Sequence, residues 1–205
     1  MPSRTPVEKV YGERFFCRRH KLHWRAVPLC DALTRMWKFN SVVDVGCATG
    51  DIVKEFEDRG LFACGIEGSK AAENYIVCNR YIIADLRTLG NFRGMKNKYE
   101  LCLCLEVAEH IEEEYADVFV ENLVNLSDRI VLSAAPPGQG GHGHVNCQPP
   151  SYWINKFKPH GYDKNLIATD LFKYFIEPWK NKPGIKAYYG NTMVLEKGLY
   201  DESPT

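Results

Sequence analysis

Four carboxylates each close a run of aliphatic or β-branched residues, and their spacing suggests one binding edge. Asp44 follows Val42-Val43 and opens Asp44-Val45-Gly46-Cys47-Ala48-Thr49-Gly50. Glu67 follows Phe62-Ala63-Cys64-Gly65-Ile66, Asp85 follows Tyr81-Ile82-Ile83-Ala84, and Glu106 follows Leu101-Cys102-Leu103-Cys104-Leu105. In an open α/β sheet, ligands sit outside the carboxyl ends of the strands. Four negative charges there would repel a pyrophosphate. They suit a ligand with a cationic amine, ribose hydroxyls and an exocyclic amine. Neither a G-x-x-x-x-G-K-[ST] loop nor a G-x-G-x-x-G turn is present, so phosphate-cradling loops of those kinds are excluded. Gly46 and Gly50 let the backbone turn sharply and approach a ligand closely.

A second group of residues has the types needed for proton transfer. Glu109 and His110 follow the fourth run, and His142 and His144 lie in Pro136–Pro150, a stretch too rich in Gly and Pro to form a regular element. All four are candidate general bases. His144 ranks first, because a histidine flanked by glycines makes no sense in a core, and His142 ranks second. His142-x-His144 with Cys147 would alternatively supply zinc-type ligands, but the separated second pair of structural sites is missing and no metal is expected. His144 or Asn146 could simply tie the loop to the backbone, and Asn146 could equally orient a substrate. Glu109-His110 could merely cap the next helix. Tyr152 and Trp153 would either stack on a planar acceptor or pack in the core.

These residues need elements to hold them. The run at Val42 is followed by a glycine turn and then by Ile52, Val53 and Phe56 at helical spacing. The same alternation recurs down the chain and argues for right-handed βαβ units with a mostly parallel sheet. The reading places helices over Leu29–Phe39, from Asp51 to about Gly60, from Ser69 to about Asn79, over Glu112–Leu126, Ser151–Phe157 and Asp170–Phe175. A short connection spans Thr88–Lys98. Later strands are expected at Arg129–Ala135, Tyr162–Ile167 and Asn191–Glu196, with a loop rich in Lys, Pro and Gly before the last and a frayed tail over Asp201–Thr205. Ahead of the sheet, residues 1–40 carry Arg14, Arg18, Arg19, Lys21 and Arg25 among Phe15, Phe16, Leu22 and Trp24. This run reads as a solvated helical face, or as a lid or a clamp on an anionic substrate such as RNA, with Arg18 and Arg19 as contacts.

The 205 residues suffice for one well-buried domain, and the formal net charge of zero gives no general pull toward nucleic acid or membrane. No apolar run is long enough for a signal peptide or membrane span. Eight cysteines without a C-x-x-C pair read as free thiols in a reducing cytoplasm, which leaves the Asn125-Leu126-Ser127 sequon without meaning.

From Ser41 to Lys197 the chain resembles the class I S-adenosylmethionine-dependent methyltransferases. Asp44–Gly50 is similar to their first motif, commonly D-x-G-x-G-x-G, with Ala48 in place of the middle glycine. Glu106-Val107-Ala108-Glu109-His110 resembles the E-V-L-E-H segment of many small-molecule members. The resemblance implies a Rossmann-like, seven-stranded, mostly parallel doubly wound sheet over residues 41–200, its last strand antiparallel between the fifth and sixth. It also implies S-adenosylmethionine as cofactor. Asp44, Gly46, Cys47, Ala48 and Gly50 would hold the methionine moiety, and Glu67 with Gly68 the ribose. Asp85 and Leu86 would frame the adenine, with Glu106 beside them. The expected acceptor is a small molecule with an O or N nucleophile. An RNA cap or ribose is the alternative, since the N-P-P-[YF] signature of base methylation is absent. A nicotinamide-dependent oxidoreductase or a non-catalytic binding module on the same fold are the competing classes.

Overall fold

The computed structural model describes residues 7–88 and 99–199. A seven-stranded sheet runs in the order β3-β2-β1-β4-β5-β7-β6, formed by β1 (Ser41–Val45), β2 (Phe62–Glu67), β3 (Tyr81–Ile83), β4 (Leu101–Leu105), β5 (Arg129–Ser133), β6 (Tyr162–Lys164) and β7 (Thr192–Lys197). Pairings among β1–β5 are parallel, and β7 runs antiparallel between β5 and β6, as the sequence reading expects.

Both faces of the sheet are covered, which explains why β4 shows no polar alternation. Leu101, Leu103 and Leu105 pack on one side, against α3 (Ala26–Met36), α4 (Asp51–Asp58) and α7 (Leu166–Ile176). Cys102 and Cys104 point the other way, toward α5 (Ala116–Val124) and α6 (Pro150–Phe157), where Phe119, Trp153 and Phe157 fill the layer. The small thiols match the bulky aromatics opposite them. Each fully buried Leu or Phe contributes about 1.5–3 kcal/mol by leaving water. All eight cysteines are free. Among the described residues no helix is long and apolar enough to cross a membrane.

Several boundaries differ from the sequence reading. Leu166 and Ile167 do not extend β6 but open α7, because the Asn165 side chain caps that helix by accepting from Ala168 N at 2.9 Å. Ser69 does cap its element, accepting from Ala71 N, but that element is a 3₁₀ turn over Lys70–Asn74 rather than a helix to Asn79. Glu113–Tyr115 is likewise a 3₁₀ turn preceding α5. The Lys-, Pro- and Gly-rich loop contains α8 (Lys186–Asn191), which periodicity did not reveal. The N-terminal segment forms α1 (Val7–Val10) and α2 (Glu13–His20). Most of the Thr88–Lys98 connection, and the Asp201–Thr205 tail, lie outside the described residues.

Candidate active site

The strand order reverses between β1 and β4, and the loops after these two strands meet at that point. A Cβ on Gly46 would lie 2.3 Å from Val107 Cγ2. Only glycine therefore allows the first-motif loop to lie against the Glu106–His110 segment. Gly46 has φ +76°, and Ala48 has φ +52°. Ala48, at the position of the resembled motif's middle glycine, thus adopts left-handed backbone despite its Cβ, at a cost of about 1–2 kcal/mol. The conformation is held by Glu67, whose Oε2 accepts from Ala48 N and whose Oε1 accepts from Ser69 N, both at 2.9 Å.

Between these loops, the N-terminal helices and the Pro136–Pro150 loop lies a cleft of about 560 Å³. Among the expected cofactor residues, Gly46, Ala48, Glu67, Gly68, Asp85, Leu86 and Glu106 reach it. Glu67 is buried at its floor, and desolvation raises its pKa against the pull of the two backbone amides. Asp85 is held by Arg87, whose Nε and Nη2 donate to its two oxygens at 2.9 and 3.0 Å. Glu106 accepts from Asn191 Nδ2 at 3.1 Å and from Gln139 Nε2 at 3.3 Å. It has φ +57°, a strained position for a non-glycine residue at the end of a strand.

Asp44 lies behind the glycine loop, in a small space it shares with Arg19, Arg25 and Tyr188. Burial pushes its pKa up to about 7, against the pull of Arg25. Arg25 is 3% exposed. Among the described residues its Nε and Nη1 have no hydrogen-bond partner, and neither does Arg19 Nε. The Arg25 guanidinium lies 5.8 Å from the centre of the Tyr188 ring. A desolvated guanidinium, the half-buried Arg19 and a carboxylate thus face the same space with donors to spare.

The four candidate bases also gather at the cleft. Glu109 is fully buried. Desolvation, followed by the nearby Glu106, raises its carboxyl pKa to about 8, and burial lowers that of His110 to about 4. The carbonyl of Glu109 accepts from Val145 N at 2.9 Å and Asn146 N at 3.0 Å, so the glycine-rich loop is anchored to the β4 segment. His142 Nε2 donates to Val10 O at 2.7 Å, Tyr11 Oη lies 2.7 Å from His110 Nδ1, and Ser69 Oγ donates to Tyr11 O at 2.7 Å. Through these bonds α1 and the turn after it cover one wall of the cleft.

Other expected site residues lie elsewhere. Trp153 is fully buried edge-on to Phe119, 6.0 Å between ring centres, and neither it nor Tyr152 lines the cleft. Helix α6 packs its aromatics into the sheet, where the small Cys102 and Cys104 side chains leave room for them. Asn146 Oδ1 accepts from Gln148 Nε2, and the residue serves to tie the loop. Arg18 is exposed while Arg19 turns inward, as expected for adjacent residues on a helix. Cys47 and Gly50 do not line the cleft. The Cys47 thiol packs against Gly65, and Gly50 starts α4 with φ +74° against Cys78. Sequence reasoning named Phe15 and Arg25 only as parts of a basic run, gave Val107 and Gln139 no role of their own within the segments that hold them, and missed Tyr11, Tyr188 and Asn191. The alternation of aromatic and basic residues was a signal for the first two, but nothing local marks the others.

No protein-family model and no curated protein matches the sequence. Solved structures do. An S-adenosylmethionine-dependent methyltransferase from Archaeoglobus fulgidus superposes with a TM-score of 0.60 at 12% identity, over 87% of this chain and 94% of that one. Magnesium protoporphyrin IX methyltransferase from Synechocystis, with bound S-adenosylmethionine, gives 0.54 at 18%, over 87% and 78%. The [4+2]-cyclase SpnF gives 0.51 at 10%, over 78% and 75%. The chain therefore has the class I methyltransferase fold. Because a cyclase shares that fold, the activity must be argued from the site itself.

Proposed function

We propose that the protein is an S-adenosylmethionine-dependent methyltransferase acting on a small molecule. The observation that carries this reading is the pairing of unpartnered buried Arg25 and Arg19 donors with Asp44 in the small space behind the glycine loop, and Glu67 at the floor of the adjoining cleft. A zwitterionic amino acid joined to a ribose has that pattern of charge: a carboxylate for the arginines, an amine for Asp44 and a diol for Glu67. A dinucleotide would set its pyrophosphate among Glu67, Glu106 and Glu109. When bound, the cofactor supplies an electrophilic methyl group. The protein's own contribution is alignment, exclusion of water by Tyr11 and Phe15, and acceptance of a proton by a group of the Glu109–His110–His144 cluster, the bases together giving about 10²–10⁴-fold.

The RNA alternative loses support because two of its five cations, Arg19 and Arg25, turn inward and leave Arg14, Arg18 and Lys21 exposed. The N-terminal segment serves as a lid on the cleft. The test is calorimetric titration with S-adenosylmethionine, S-adenosylhomocysteine and NADH. Binding of the two adenosyl compounds, weakened about 10-fold or more in Glu67→Gln, is the expected result. Binding of NADH alone would refute the assignment.

A further inference from the structure

The Glu109 carboxylate is the most exceptional polar group in the molecule. It is fully buried, and among the described residues neither oxygen has a hydrogen-bond partner. The backbone amides of Glu109 and Ala135 favour its charged form. Two imidazoles face it: His144 Nε2 lies 3.9 Å from Glu109 Oε1, and the His110 and His144 rings are 4.9 Å apart, nearly edge to face.

The other nitrogen of each ring is already committed. His110 Nδ1 lies 3.1 Å from Gly143 O, and His144 Nδ1 lies 3.1 Å from Gln139 O. A carbonyl only accepts, so each Nδ1 carries the proton and each Nε2 keeps a bare lone pair. Tyr11 Oη shares the His110 N–H, and Cys147 Sγ lies 3.4 Å from the Nδ1 side of His144. When ionised, the buried Glu109 carboxylate has no positive group hydrogen-bonded to it among the described residues, a setting that favours its pairing with a cation.

We propose that Glu109, His110 and His144 bind a divalent first-row transition cation. Their ligand atoms lie within 4.8 Å of one another. With bonds of about 2.0–2.2 Å to each, they need to draw together by roughly 1 Å. Histidine ligands characteristically donate their second ring nitrogen to a carbonyl or carboxylate, as both do here. Two imidazoles and one carboxylate favour zinc, cobalt, manganese or iron over magnesium and calcium. This set replaces the His142, His144 and Cys147 combination considered from the sequence, because His142 Nε2 is spent on Val10 O.

All three ligands line the cleft, so the remaining coordination positions open toward the acceptor. This second step rests on the methyltransferase reading: with a cation bound, the three side chains act through it instead of as free bases, and the acceptor is then a hydroxyl, whose proton the cation would make easier to lose to solvent, whereas coordination would occupy the lone pair of an amine.

The experiment is titration of the chelator-treated full-length protein with Co(II), followed by visible absorption and calorimetry, with Zn(II) and Mg(II) in parallel. The expected result is one equivalent of Co(II) or Zn(II) bound more tightly than Mg(II), with d–d bands and no thiolate charge-transfer band. Affinity should fall about 100-fold or more in Glu109→Gln and His144→Gln, and change by no more than about threefold in His142→Gln and Cys147→Ser. Circular dichroism establishes that each variant is folded, and His110→Gln gives a third ligand test if either fails. No stoichiometric binding, binding unchanged in Glu109→Gln, or a thiolate band lost in Cys147→Ser would overturn the site. S-adenosylhomocysteine titrated into the metal-free samples tests the cofactor reading separately. Cobalt binding without that ligand sinks the methyltransferase assignment and leaves the metal site standing.

Discussion

Replacing Arg25 by Met should move stability and affinity in opposite directions. Arg25 is buried, sits over Tyr188 and leaves Nε and Nη1 without partners among the described residues. Each unsatisfied buried donor costs about 1–3 kcal/mol. Against this stands a cation–π contact of about 1–2 kcal/mol. The Arg25 charge also attracts Asp44. At pH 6, however, Asp44, with its pKa raised to about 7, is mostly protonated, so removing Arg25 leaves no buried anion uncompensated. A flexible apolar side chain of similar length should then make the ligand-free protein more stable by about 1–4 kcal/mol, the range found when buried charges are replaced by packed hydrophobes. The same change removes charge-assisted bonds to the ligand carboxylate worth about 1.5–3 kcal/mol, so S-adenosylhomocysteine should bind about 10- to 150-fold more weakly. Urea unfolding at pH 6 and calorimetry provide the two readouts. A destabilised variant, or one that keeps its affinity, would show that Arg25 is a structural residue and would remove the main support for the zwitterion site.

Three further outcomes are expected. Gly46→Ala should cost about 2–4 kcal/mol in urea unfolding, from positive φ and the clash with Val107; adding Val107→Ala should recover part of that loss, and strictly additive effects would refute the packing argument. Asp44 has a folded pKa of about 7, above its unfolded value, so its contribution to stability is greatest below about pH 4 and is lost as pH rises toward 7. The stability of wild type minus that of Asp44→Asn should therefore fall by several kcal/mol over that window, a subtraction that cancels the opposite slope from His110, whose pKa burial lowers to about 4; a flat difference would refute the burial argument. Binding of a ligand amine beside Asp44 should release a proton near pH 6, measurable as a dependence of the calorimetric heat on buffer ionisation enthalpy, and its absence would separate Asp44 from the amine.

What the sequence determined by itself was the alternation of strands with helices and the carboxylates that close the strands. The β1–α4 corner was legible because aliphatic residues, two glycines and a helical apolar stripe stand within fifteen positions of one another. Glu67, Asp85 and Glu106 were legible because each closes an aliphatic run in a parallel sheet, where strand ends converge at one edge. The fate of Leu166 and Ile167 was not, since a capping bond from Asn165 outweighed their β propensity. Tertiary structure alone decided which residues of the basic run turn inward, that Val107 presses on Gly46, and that Trp153 is core rather than pocket. It also decided that His110 and His144, 34 positions apart in the chain, meet beside one buried carboxylate. Local pattern can place a residue on an element, but the hydrogen bonds and burial that give it a chemical role come from segments distant in the chain.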